Sequence, residues 1–167
     1  NTATSEHEAS TRHASGFVRY MNERARESGN SKYYFTNVDG MPAQKMRVTP
    51  HELGHMASYI FLNYQDYYKW FGEREFTWNK IRQQNRNPLL GAFDGADGMK
   101  TGFTNEAGYN LVGSAVQSGV RLIVVVTGLK HAKARADDAK KLLDYGFKNF
   151  DSRLLFAAGQ RVAEATV

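Results

Sequence analysis

Apolar positions along the chain fall into two periods, and each marks its own kind of element. In GFVRYMNERARESGN, Phe17, Met21 and Ala25 stand four apart and Gly29-Asn30 supplies a stop, so the spacing predicts a helix. YYFTNVDGM follows as an extended piece ending in an Asp39-Gly40 turn. The next helix opens at TPHE. Thr49 can cap it, Pro50 suits its first position, and Glu52 can reach back to the Thr49 N–H. Leu53, Met56, Ala57, Ile60 and Tyr64 then form one apolar stripe. The aromatic-rich YYKWFGEREFTWNKI comes next, and RQQNRNPLL after it reads as a polar loop.

The strand period takes over in YNLVGSAVQSGVRLIVVVTG. Two β-rich runs flank Ser118-Gly119, which predicts an antiparallel hairpin. The second run, Val120 to Thr127, is apolar almost throughout and is expected to be a buried central strand. AKARADDAKKLLDYGFKNF is a final amphipathic helix, with Ala139, Leu142, Leu143 and Phe147 on one face and Gly146 near its end. After Asp151 the pattern changes again, and RLLFAAGQRVAEATV reads as the opening of a separate β segment.

Composition narrows the function classes. With 167 residues, 41% hydrophobic and 23% charged, the chain can build one domain with a core. No apolar run approaches the roughly 18 residues of a membrane helix. No signal peptide is visible, and NTATSEHEAST lacks an initiator Met, so a processed or cut piece of a longer protein is expected. The absence of cysteine excludes disulfides, thiolate zinc sites and a cysteine nucleophile. A net charge of +5 favours anionic partners, but the basic residues are scattered. No nucleic-acid partner is expected, and the charge reads mainly as a solvated surface.

Two motifs carry candidate chemistry. The first, HELGH at residues 51–55, fits H-E-x-x-H, in which two histidines one helical turn apart bind zinc and the glutamate acts as base. Glu73 or Glu75 stands at a workable spacing for a third ligand. Helix geometry argues against this alternative. His51 and His55 point away from the apolar stripe, Glu52 already has a capping role, and a cation is disfavoured at the first turn. No metal is expected.

The second motif, Lys100-Thr101-Gly102 in DGMKTGFTNEAGYNLVGSA, is followed by the strand hairpin. Gly102 leaves room for a ligand along a strand edge, Thr101 offers a hydroxyl to an anion, and Lys100 offers positive charge. Penicillin-recognising serine enzymes combine K-T-G with an S-x-x-K nucleophile motif and an S-x-N motif.

Here the chain resembles the serine D-alanyl-D-alanine carboxypeptidases, the low-molecular-weight penicillin-binding proteins. FVRYMNERARESG, REFTWNKIRQQNRNPLL, DGMKTGFTNEAGYNLVGSAVQSGVRLIVVVTG and KKLLDYGFKNF carry the resemblance over nearly the whole chain. It implies an α/β fold of the α+β type, an antiparallel sheet with packed helices whose N-terminal portion lies upstream. Residues 1–150 would be the C-terminal portion of a serine D,D-peptidase domain, and 151–167 the start of a C-terminal β domain or a linker.

The resemblance also implies roles. Lys100 would support charge and proton traffic around the serine, and Thr101 would bond the terminal carboxylate of a D-Ala-D-Ala peptide. The Phe103 N–H would form half of an oxyanion hole. Arg135 would hold the substrate carboxylate with its guanidinium fork, and Arg86 would support it from near the K-T-G strand. No serine stands three before a lysine, so the nucleophile is expected upstream of residue 1. Asn1 falls on the Asn of S-x-N. Ser28-Gly29-Asn30 offers the same letters but reads as a helix stop.

The implied substrate is a peptidoglycan stem peptide ending in D-Ala-D-Ala. β-Lactams would acylate the same serine, with no cofactor, outside the cytoplasm of a bacterium. Any membrane attachment would come through segments outside this chain. Without the serine the chain alone is expected to be inactive, and a non-catalytic wall-binding scaffold of the same fold is a further alternative.

Overall fold

A computed structural model describes residues 16–151, 155–157 and 159–163. Residues 16–27 form helix α1. Gly29 stops it in the left-handed conformation (φ +85°). The Asn30 N–H donates to Ala25 O (2.8 Å) and the Gly29 N–H to Arg26 O (2.9 Å), so Ser28-Gly29-Asn30 is the expected stop. The buried face of α1 differs from the expected one. Phe17 is exposed, while Ala25 and Asn22 are buried. Asn22 repays its burial by donating to Val18 O and Phe35 O and accepting from the Phe35 N–H, which ties α1 to the extended segment after it.

Helix α2, Pro50–Asn63, carries the predicted capping box. The Glu52 N–H donates to Thr49 Oγ1 (3.2 Å) and the Thr49 N–H to the Glu52 carboxylate (3.4 Å). Of its apolar stripe, Ala57 is buried, Leu53, Met56 and Ile60 are half-buried, and Tyr64 is exposed as the C-cap. A short helix α3, Gln65–Tyr68, runs into a 3-10 turn at Lys69–Gly72.

The segment read as aromatic-rich and loop-like contains a hairpin. Strands β1, Glu75–Trp78, and β2, Ile81–Gln84, pair antiparallel around Asn79 and Lys80, both at positive φ. The K-T-G residues lie on a strand, as expected; this strand, β3, runs Ala96–Thr104. It pairs with β4, Gly108–Gln117, which pairs with β5, Val120–Leu129, around the predicted Ser118-Gly119 turn. The order β3-β4-β5 makes β4 the middle strand of the described sheet, so the apolar run Val120 to Thr127 is not central there. Its apolarity has another cause, because β5 packs against helices on both faces.

Helix α4, Ala132–Asn149, covers one face. Ala139 and Leu143 pack with Leu89, Leu111, Ala115, Val124 and Val126, and Phe147 borders this cluster. Leu142, expected on that face, is exposed. Gly146 lies within α4 because a Cβ there would stand 2.6 Å from Leu122 Cδ1, so it serves close helix–sheet approach. Helix α2 covers the other face, where Ala57, Tyr68 and Met99 form a second cluster with Val112 and Ile123. The result is the expected α+β arrangement, an antiparallel sheet between helices, with β3 at one edge.

Candidate active site

Of the residues expected to act, Lys100, Thr101, Gly102 and Phe103 lie on β3 and Arg135 in the first turn of α4. Register places Lys100 opposite Val112, Thr101 opposite Leu111, and Gly102 opposite Asn110. The Lys100 side chain is exposed, and its Nζ donates to Thr101 O (2.6 Å). Thr101 is buried at 8% exposure. A Cβ on Gly102 would meet only Asn110 Cβ, at 3.9 Å, so nothing within the fold demands glycine there. Phe103 is exposed and lies against Tyr109, ring centroids 4.3 Å apart. No strand pairs with the outer edge of β3 among the described residues, which leaves alternate backbone groups free to meet a ligand.

Arg135 reaches this end of the sheet from α4. Its Nη1 donates to Asn110 O (3.5 Å), and its guanidinium sits 5.5 Å from the Tyr109 ring centroid. Its Nε is buried without a hydrogen-bond partner. Asn110 is held by donating to Gly108 O (2.7 Å) and accepting from the Gly128 N–H (2.9 Å). Because Asn110 is also the register partner of Gly102, Arg135 and the K-T-G residues converge on one strand end. Arg86 does not join them through any hydrogen bond or ion pair among the described residues. It is exposed between Asn85 and Asn87, whose side chains fold the loop. Asn1 lies outside the described residues.

A polar cluster at the start of β3 had no signal in the sequence. Asp97 receives Arg121 through both oxygens (Nη1 2.9 Å, Nη2 2.7 Å) and the Tyr68 hydroxyl (2.9 Å). Arg121 also donates to Tyr68 (3.2 Å) and to fully buried Ser114 (2.5 Å), with its guanidinium 3.9 Å from the Phe61 ring centroid. Burial alone would raise the Asp97 carboxyl, but the bonds from Arg121 and Tyr68 hold it below the usual range. Burial pushes the Tyr68 phenol up to about 12. Residues 68, 97, 114 and 121 sit on four elements, and no local pattern links them.

The sequence pattern of D-alanyl-D-alanine carboxypeptidases matches residues 4–131. The chain belongs to the D-alanyl-D-alanine carboxypeptidase family. It is similar to D-alanyl-D-alanine carboxypeptidase DacA of Haemophilus influenzae, 39% identical over 155 residues, covering 90% of this chain and 39% of that protein. The chain thus spans about two-fifths of that relative's length. Penicillin binding protein 5 from Haemophilus influenzae has a similar structure (TM-score 0.78, 40% identity, 81% of this chain and 40% of that one). So does penicillin-binding protein D2 from Listeria monocytogenes in its cefotaxime-bound form (TM-score 0.73, 32% identity, 78% of this chain and 55% of that one).

Family membership leaves H-E-x-x-H without a chemical role, and geometry agrees. Glu52, cast as the metalloprotease base, is buried at 5% exposure. Its carboxylate accepts from the Thr49 N–H, the Thr49 hydroxyl and the Lys32 N–H. Burial opposes its ionisation, but these bonds outweigh it and lower its pKa. His55 Nδ1 lies 3.1 Å from Oδ1 of buried Asn30, and Glu75 is engaged by Arg82 and Gln84. Among the described residues no group of three His, Cys, Asp or Glu side chains could hold a metal ion.

Proposed function

We propose that this chain is the part of a serine D-alanyl-D-alanine carboxypeptidase that holds the terminal carboxylate of the substrate. The observation that carries the reading is the meeting of Arg135 with the K-T-G strand end. Its fork makes one long hydrogen bond there, from Nη1 to Asn110 O (3.5 Å), opposite Gly102. A peptide carboxylate supplies that fork with stronger, charge-assisted acceptors. Residues 1–150 belong to the peptidase domain, and 151–167 begin a following segment after α4 ends at Asn149. Asn1 is the last residue of S-x-N.

The chain holds no S-x-x-K, so the nucleophile comes from residues preceding Asn1. The serine attacks the D-Ala-D-Ala carbonyl, D-alanine leaves with a proton, and water then frees the trimmed peptide from the acyl-enzyme. In this scheme Lys100 stabilises negative charge beside the serine, and Thr101 and Arg135 bind the carboxylate. The Phe103 N–H faces the oxyanion, while Arg86 supports the site from the loop after β2. No cofactor is needed. Stem peptides of peptidoglycan are the substrate, β-lactams are acylating inhibitors, and the site of action is the bacterial cell envelope outside the cytoplasm. By itself, without that serine, the chain is expected not to be labelled by penicillin.

Fluorescent penicillin labelling tests this reading on the chain by itself and joined to its upstream segment. The joined protein is expected to label covalently and to release D-alanine from a D-Ala-D-Ala peptide. Penicillin-inert joined protein that still binds peptidoglycan would replace the enzyme with a wall-binding scaffold.

A further inference from the structure

We infer that Tyr68, Asp97 and Arg121 are positioning residues that fix the register of the K-T-G strand. The inference rests on the proposed function and extends it to residues that touch no substrate. Pairing of β3 with β4 shifts register between Ala96 and Gly98, so the irregularity sits at Asp97. Lys100 stands three residues later, about 10 Å along the strand. A bulge re-aims the side chains beyond it, and a one-residue slip would carry Lys100 to the opposite face of the sheet. Where the irregularity sits therefore decides where Lys100, Thr101 and Gly102 point.

The irregularity is clamped from three sides. Arg121 grips Asp97 from β5, Tyr68 bonds it from α3, and Ser114, the partner of Gly98, takes the same guanidinium. Neighbouring groups also close on it. A Cβ on Gly72 would lie 2.8 Å from Asp97 O, and one on Gly98 would lie 3.0 Å from the Tyr68 hydroxyl. Desolvation offsets the attraction of a partly buried ion pair, so its net stabilisation is small, and one attested use of such a pair is to fix a single arrangement. Removing one charged partner leaves the other unpaired and is expected to cost stability as well, so alignment is read most cleanly in Tyr68→Phe, which removes no charge.

The test uses the chain joined to its upstream segment. Tyr68→Phe keeps the ring and removes the hydroxyl, Asp97→Asn keeps the shape and removes the charge, and Arg121→Lys removes the fork. Each is expected to lower kcat for D-Ala release about tenfold or more, the effect of one lost charge-assisted hydrogen bond, with KM within about twofold. Tyr68→Phe guards against loss of fold, and its melting temperature is expected to stay within a few degrees of the parent. Parent-like kcat in folded Tyr68→Phe and Asp97→Asn overturns the inference alone. So does a rise in KM at constant kcat, which would place the cluster in binding. An unlabelled parent overturns the proposed function, and this inference with it.

Discussion

Gly102 offers a perturbation in which stability and activity should move in opposite directions. Its backbone is not in the left-handed region, and an added Cβ would meet only Asn110 Cβ, at 3.9 Å. A β-branched residue on a pleated strand is worth up to about 1 kcal/mol over glycine. Gly102→Val is therefore expected to leave the melting temperature unchanged or raise it slightly. The same side chain would project beside Asn110, where Arg135 makes its contact. A ligand displaced there by roughly 1 Å loses about a hundredfold in reaction rate. Time-resolved labelling by fluorescent penicillin, on the chain joined to its upstream segment, reads the rate, and thermal unfolding reads the fold. Gly113→Ala is the opposing control. Its Cβ would stand 2.5 Å from Leu89 Cδ1, so it should cost about 1–3 kcal/mol while labelling per folded molecule is unchanged. Labelling of Gly102→Val at the parent rate would refute the idea that this glycine is kept for a ligand. Marked destabilisation by Gly102→Val would refute the claim that the fold does not need it.

Arg135→Ala is expected to slow labelling by carboxylate-bearing β-lactams about tenfold or more, with little change in melting temperature, measured in the same assay. Leu89→Ala empties a fully buried position and should cost about 2–5 kcal/mol in denaturant unfolding. The lowered pKa of Glu52 means its contribution to stability is present above the unfolded carboxyl value and lost as pH falls through the folded value. Acid unfolding of Glu52→Gln should accordingly lack part of the parent's pH dependence. Tyr33 and Tyr68 are both pushed up to about 12 by burial. Their contribution is whole below the unfolded phenol value, near 10, and is lost as pH rises through about 12. In an ultraviolet titration, Tyr33→Phe and Tyr68→Phe should each remove one late-ionising phenol.

The features legible in the sequence were local. The α2 cap lies within four residues, the β4–β5 turn within two, and K-T-G is a single run, so each carries its own signal. The K-T-G strand was expected only through the family resemblance, because Asp97-Gly98 and Gly102 resemble turn chemistry and hide its extent, and the pattern does not show the bulge at Asp97 or the side chains packed on Gly98. The β1–β2 hairpin escaped because its turn is Asn79-Lys80, without glycine, and its polar residues hid the alternation. Leu142 was misplaced because two adjacent leucines both suit a helical stripe, and only the packing of α4 on the sheet selects Leu143. The clamp on Asp97 joins residues up to 53 positions apart, a pairing that only tertiary structure creates.

The open edge of β3 has a consequence for the protein's behaviour in a crowded compartment. A strand able to accept a peptide along its edge can also accept the edge of another molecule, which begins edge-to-edge aggregation. From Gly98 to Thr104 the strand holds one charged residue, Lys100, and its side chain is exposed. When two copies approach antiparallel by this edge, their lysines bring like charges together, whereas an anionic peptide is drawn in. The residue proposed to take part in the chemistry would therefore also guard the edge, and replacing it with a neutral side chain is expected to leave the protein less soluble.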